Sequence, residues 1–234
     1  MCFFLTLAVL FIFLSTYLVN FFITYLYRQR LADCIFKDRG VLRNFFIVHP
    51  LGLYLSSFLW GGLAVLTFLE FFIPPKPFKV LYFLLTLAVI LSLYHPLKEK
   101  ILKYTTPQVA DYILFKYLPF SVSLFSAALY AVYLYNFATF GELVPNLNAE
   151  AYLKEAYSTY GSCPIIGLLV VLIKMWDYSI GTLLVNSAQL GKDFFLPLLF
   201  FTFLKEGVAV WILTQSVLGI LIVLRRLFGF PSWV

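Results

Sequence analysis

Charged residues are scarce in this chain of 234 residues, since 12% are Asp, Glu, Lys or Arg while 62% are hydrophobic. A water-soluble domain with so few charges could not cover its apolar surface, even with a large buried core. The composition therefore predicts a protein whose solvent is lipid. No internal repeat or linker divides the sequence, so we expect a single transmembrane domain over residues 1–234.

Cysteine and histidine are also rare. The three cysteines, Cys2, Cys34 and Cys163, lie far apart without CxxC spacing, so we expect neither a disulfide framework nor a zinc site. His49 and His95 each precede a proline at the edge of an apolar run. Paired imidazoles could hold a haem iron or another metal, but this position is more typical of a helix boundary. We therefore expect no cofactor.

Catalytic signatures are missing as well. The sequence contains no GxSxG, HExxH, phosphate-binding glycine loop or dinucleotide fingerprint, which argues against an enzyme. The formal net charge of +6 could suggest a nucleic-acid partner. The basic residues cluster between apolar runs, however, as membrane-flanking charges do. The expected partner is a lipid bilayer, not nucleic acid.

What the sequence does contain is a series of long apolar runs. Six of them are candidates for spanning helices: residues 3–27, 45–73, 80–94, 112–140, 164–190 and 194–224. The third reaches a useful length only if Pro77 and Phe78 begin it, and the last is interrupted, so five to seven crossings are compatible with the pattern. We predict an all-α polytopic bundle of about six spanning helices. Short amphipathic interfacial helices are expected near residues 149–160 and 96–104.

Basic residues between the runs predict the orientation. The first, third and fifth connections carry nine Lys or Arg residues, against five on the opposite side. The positive-inside rule then places the N-terminus outside. We expect the membrane to be a bacterial or archaeal cytoplasmic membrane, with an organellar inner membrane as the alternative. Arg225 and Arg226 fall on the wrong side in this arrangement, which indicates a miscounted crossing near Lys205.

One ionisable pair lies deep in an apolar run. A spanning helix begun at Pro164 would place Lys174 about 15 Å inside the bilayer, with Asp177 on the same face. A charge at that depth costs at least about 2.5–3.5 kcal/mol and normally faces protein or water. Two interpretations follow: a site in a conducting pathway, or an ion pair that fixes the helix against its neighbours. The same run adds small or polar candidates at Gly181, Asn186 and Gln189.

A second pair, Lys205 and Glu206, is followed by the polar Gln215. If this run spans as one helix, Glu206 could reach Lys174, and Lys205 could reach Asp177. If the helix breaks there, both residues lie at the surface; the length of one helix, about 46 Å, favours this second interpretation.

Other polar and small residues have simpler interpretations. Glu70 is expected to extend to the outer interface near Lys76 and Lys79, with a pathway-lining role as the alternative. Ser57 and Gly61, like Ser123 and Ala127, stand four residues apart and predict close helix contacts.

Three function classes remain. The first, which we favour, is a channel, transporter or transporter subunit that moves ions or small solutes past Lys174 and Asp177. The second is a non-catalytic subunit of a larger membrane assembly, either with copies of itself or with other membrane subunits. The third is a haem- or quinone-binding redox subunit that uses His49 and His95.

Overall fold

The computed structural model describes residues 2–35, 50–72, 77–137, 154, 163–190 and 192–228. Within these ranges every regular element is an α-helix and no strand is found. The helices are α1 (Cys2–Ile35), α2 (Pro50–Phe72), α3 (Pro77–Leu102), α4 (Pro107–Phe137), α5 (Pro164–Leu190) and α6 (Lys192–Phe228). The predicted all-α class is therefore confirmed.

Proline marks the start of four of these helices, α2, α3, α4 and α5. The first helical residue needs no N–H donor, and the fixed φ of proline suits that position. α3 begins at Pro77, which is the start that the third apolar run needed in order to be long enough to span. The helix continues through Pro96 to Leu102. The separate interfacial helix predicted from Pro96 is therefore wrong, since Pro96 lies inside α3. The other one, near residues 149–160, lies outside the described residues except for Lys154.

Five helical stretches are long and apolar enough to cross a membrane: Cys2–Asp33, Leu51–Phe72, Lys79–Leu102, Pro107–Leu129 and Phe203–Phe228. They expose large hydrophobic side chains, such as Phe11 at 68% and Leu85 at 59%. Leaving such surface in water costs about 25 cal/mol per Å², a cost that contact with lipid removes. The helices are thus consistent with a polytopic integral membrane protein.

The helices pack so that two ends of the bundle can be defined. α1 and α2 are antiparallel, because Phe13 contacts Phe58 edge to face while Phe21 stacks against Tyr54. At the Cys2 end, the start of α1 lies beside the end of α2 and the start of α5. At the Arg226 end, the last turns of α6 meet α3 and the start of α4.

α6 is the central helix, since it contacts all five of the other helices described. Two glycines permit its closest contacts. A Cβ atom on Gly219 would lie 2.6 Å from Phe115 of α4 and would also overlap Val19 of α1. A Cβ atom on Gly207 would lie 3.1 Å from that of Ala127, so the close contact predicted for this face of α4 is confirmed.

A disulfide joins Cys2 to Cys163, 161 residues apart in sequence. The expectation that the cysteines form no disulfide is therefore wrong for this pair. Sequence spacing could not reveal the bond, because the folded bundle brings the start of α1 to the start of α5. The disulfide fixes both at the Cys2 end.

Candidate functional site

A lysine that the sequence analysis did not single out lies near the middle of the bundle. Lys116 follows Pro107 by nine residues of α4, about 14 Å of helix, which is close to half of a hydrocarbon core about 30 Å thick. Its Nζ donates a 3.0 Å hydrogen bond to Oδ1 of Asn20 in α1. The Nζ also lies 5.3 Å from the ring centroids of Trp60 and Phe115.

The amide of Asn20 links Lys116 to a third helix. Its Nδ2 donates a 3.0 Å hydrogen bond to the hydroxyl of Ser57 in α2, and both residues are buried. Lys116 is thus held by a neutral side chain and two aromatic faces. Within the part of the chain that the structure describes, no carboxylate pairs with it.

A small cavity adjoins this group of residues. It has a volume of about 10 Å³, and its polar lining residues are Thr16, Asn20, Gln215 and Ser216. The side-chain oxygen Oε1 of Gln215 is buried without a hydrogen-bond partner among the described residues. The cavity is about the size that a single water molecule needs. We call Lys116, Asn20, Ser57 and Gln215 the central polar site.

Four charged residues form a second group at the Cys2 end. Nζ of Lys79 lies 2.9 Å from Glu70 and 2.6 Å from Glu206, while Nζ of Lys205 lies 2.9 Å from the same Glu70 oxygen. All four side chains are at most 19% exposed. Two cations and two carboxylates join α2, α3 and α6 into a charge-balanced cluster, which we call the Cys2-end cluster.

This cluster corrects two expectations. Glu70 is not extended into solvent at the interface, because its side chain is buried in ion pairs, of which the one with Lys79 agrees with the expected proximity of these two residues. Lys205 and Glu206 do not lie at the surface of a broken helix, because α6 is continuous through them. Both reach the same cluster, since their long side chains span the angle of about 100° between adjacent helical residues.

A third group lies at the Arg226 end. Asp111, 5% exposed, pairs with Lys98 at 2.5 Å and with Arg226 at 2.7 Å, and it accepts a 3.0 Å hydrogen bond from Tyr94. These contacts join α3, α4 and α6 in what we call the Arg226-end cluster. The expectation that Arg225 and Arg226 lie on the opposite side from Lys98 is therefore wrong.

The spacing of the three groups along α6 matches a bilayer. Glu206 and Arg226 are twenty residues apart, about 30 Å of helix, which equals the thickness of the hydrocarbon core. Gln215 stands nine residues from Glu206 and eleven from Arg226. In a bilayer matched to this stretch of α6, the charged clusters would lie near the two surfaces, with the central polar site between them.

The predicted pair in α5 is described only in part. Lys174 is partly buried and has an interaction partner. The side chains of Asp177, Asn186 and Gln189, and the surroundings of Gly181, lie outside the described part of the structure. The Lys174–Asp177 ion pair therefore stays a prediction.

Of the two histidines, the structure describes His95. His95 Nδ1 lies 3.4 Å from Glu99, and its side chain is 42% exposed, whereas His49 lies outside the described residues. Within the described ranges, no group of three His, Cys, Asp or Glu residues could hold a metal ion.

Sequence reasoning missed Lys116, Asn20 and Asp111 but included Gln215. Lys116 was detectable as a charge inside the apolar run 112–140, the same kind of signal that pointed to Lys174, whereas Asp111 lies just before that run. Asn20 gave no such signal, because its importance depends on a contact between residues 96 positions apart. No protein-family model, curated protein or solved structure matches this chain.

Proposed function

We propose that this protein forms a pathway for ions or small solutes across the membrane, with Lys116 as its central charge. The observation that carries the proposal is a lysine at mid-membrane depth whose described partners are neutral. An ionisable group at that depth is costly and is kept where it faces a solute path or a partner. A positive charge without a carboxylate favours an anion as the transported species.

The Cys2-end and Arg226-end clusters support this proposal. Each joins three helices through ion pairs at one level of the bundle. Ion pairs can be exchanged between alternative packings of helices, which is how many transporters open one side at a time. The cavity beside Asn20 and Gln215 has a volume of about 10 Å³, which leaves room for about one water molecule and not for a larger solute. A solute would enter after one cluster separates.

We infer five crossings, one fewer than the number expected. α4 approaches the Cys2 end, where Ala127 faces Gly207, and α5 begins there at Cys163. The crossing part of α6 also starts there, at Glu206. The chain therefore leaves α4 and enters the crossing part of α6 at the same end of the bundle. α5 and residues 192–205, which lie between them, would form a pair of helices that adds no net crossing of the membrane. This placement removes the argument that Lys174 lies at the bilayer centre.

Two features support an orientation with the Cys2 end outside. Disulfides persist in oxidising compartments outside the cytosol, and Cys2–Cys163 lies at this end. Basic residues concentrate at the Arg226 end, as the positive-inside rule requires. They include Lys98, Lys100, Lys103, Arg225 and Arg226, and the sequence that connects α1 to α2 adds Lys37, Arg39 and Arg43.

The test is flux into proteoliposomes that contain the purified chain. Chloride, phosphate and small carboxylates should be tried, with empty vesicles as the baseline. Lys116→Met keeps the side-chain length but removes the charge. Loss of a charge-assisted contact with the anion would weaken its binding by about 1.5–3 kcal/mol, so flux at an anion concentration below saturation should fall roughly tenfold or more. Lys103→Gln, an exposed lysine, is the control and should leave flux unchanged.

The second candidate is a structural subunit of a membrane assembly. The charge-balanced Cys2-end cluster favours it, because neutral ion pairs fix helix register without any transport. Correctly folded wild-type protein that gives no flux above empty vesicles would support this candidate and contradict the first. If Lys116→Met gives the same flux as wild type, the proposal of a pathway stands, but Lys116 is not part of that pathway.

A further inference from the structure

A cavity of about 380 Å³ opens between α3, α4 and α6 at the Arg226 end. Its charged lining residues are Lys98, Asp111, Arg225 and Arg226, with Tyr94 and Gln108 as further hydrogen-bonding groups. The volume lies within the range of about 300–1,000 Å³ that is usual for small-ligand sites. The transport proposal makes no use of this cavity, apart from the ion pairs of its Asp111.

The cavity carries a surplus of positive charge. Asp111 is paired with Lys98 and Arg226, and one carboxylate cannot neutralise both. Arg225 makes no ion pair among the described residues. Three cations and one anion therefore leave a net charge of +2. A guanidinium group that is not engaged by protein is well suited to bind a phosphate through two parallel hydrogen bonds.

The position of the cavity identifies the kind of phosphate. It lies at the level where the membrane-crossing stretches Lys79–Leu102 and Phe203–Phe228 end and Pro107–Leu129 begins. Next to it on α6, Leu224, Leu227 and Phe228 are 40%, 67% and 67% exposed. A molecule with a phosphate in the cavity and hydrocarbon chains along these residues would contact both the basic cavity and the exposed apolar side chains.

We propose that this cavity binds the phosphate of an anionic phospholipid headgroup, with Arg225 as its principal contact. Lys98 and Arg226 add positive charge while they hold Asp111, and Ile222 lines the side of the cavity that faces the bilayer interior. Basic pockets between transmembrane helices at the cytoplasmic side bind anionic headgroups by this chemistry. The proposal does not depend on the transport function.

The experiment measures lipid binding to the full chain in an uncharged detergent by native mass spectrometry. Short-chain phosphatidylglycerol is compared with phosphatidylcholine of the same chain length. The anionic lipid should bind more tightly. Arg225→Gln should weaken its binding about fivefold, which corresponds to about 1 kcal/mol per basic residue near a membrane surface. Arg225→Lys keeps the charge and should retain most of the affinity.

The control is Lys103→Gln, which removes a positive charge from the same end outside the cavity and should leave binding unchanged. Arg225→Gln leaves both partners of Asp111 in place, and gel filtration verifies that the variant is folded. Equal affinity for the two lipids, or equal losses in Arg225→Gln and Lys103→Gln, would overturn the proposal. Competition by millimolar inorganic phosphate as strong as that by the lipid would also overturn it, because the site would then take a soluble anion.

Discussion

Lys116 of α4 donates a 3.0 Å hydrogen bond to Asn20 of α1 in the middle of the bundle. If this bond is lost in a hydrocarbon core, bulk water is not available to replace either partner. Asn20→Leu should therefore lower stability by about 1.5–3 kcal/mol, since it leaves the ammonium without its acceptor. The double variant Asn20→Leu/Lys116→Met should recover most of this loss, because both polar partners are then gone. Thermal unfolding in detergent provides the measurement, analysed as a double-mutant cycle.

Additive effects of the two substitutions would contradict this coupling. The comparison also separates stability from transport. If Lys116 serves only packing, the double variant should behave like wild type in every assay. If it is the central charge of a pathway, the double variant should be stable and inactive.

Glu70 is the shared carboxylate of Lys79 and Lys205, so its replacement removes one ion pair from each of these two buried ammonium groups. Glu70→Gln should destabilise the protein by about 1.5–3 kcal/mol. Adding Lys205→Met should restore part of the loss, since it removes the one surplus positive charge among these four residues. The midpoint of thermal unfolding in detergent reports both effects.

Glu99→Gln is the matched control for Glu70→Gln, because this carboxylate is 68% exposed and its ion-pair partner among the described residues is His95. It should change the unfolding midpoint little. Similar destabilisation by the two substitutions would mean that the Cys2-end cluster does not depend on its charges.

The helices could be predicted from the sequence because a bilayer demands long apolar runs, and prolines mark their starts. The ion pairs between side chains of different helices could not be predicted from the sequence. Lys205 and Glu206 were recognised as significant, but their described partners are Glu70 and Lys79, which the chain brings close only by folding α2, α3 and α6 together. The position of Arg226 on the wrong side in the predicted topology indicated an error in the number of crossings. The ion pair of Arg226 with Asp111 shows that Arg226 lies at the same end of the bundle as the start of α4.

The orientation proposal predicts a specific pattern of cysteine labelling in intact cells. A membrane-impermeant maleimide should label Cys2 and Cys163 only after an impermeant reductant opens their disulfide, because both lie at the end proposed to be outside. Cys34, near the other end of α1, should react only after lysis. Cys34→Ala isolates the first pair, and the double variant Cys2→Ser/Cys163→Ser isolates Cys34. Labelling of Cys34 in unbroken cells would reverse the orientation.

Gly219 tests whether close contact between α1, α4 and α6 supports the bundle. A methyl group at this position would meet Phe115 at 2.6 Å and overlap Val19, both buried in the core. The neighbours would have to shift, and such overpacking typically costs about 1–3 kcal/mol. Gly219→Ala should therefore lower the unfolding midpoint in detergent and reduce folded yield.

Gly62→Ala is the matched control, because no atom of the described residues, apart from the backbone of its own helix turn, lies within 4 Å of a Cβ atom at that position. Alanine also favours a helix over glycine by about 1 kcal/mol, so Gly62→Ala should be neutral or slightly stabilising. The contrast matters more than either value, since both substitutions add the same methyl group to a helix of the same protein. Equal midpoints for the two variants would mean that α1, α4 and α6 do not meet closely at Gly219, and the packing that positions Asn20 beside Lys116 would then need revision.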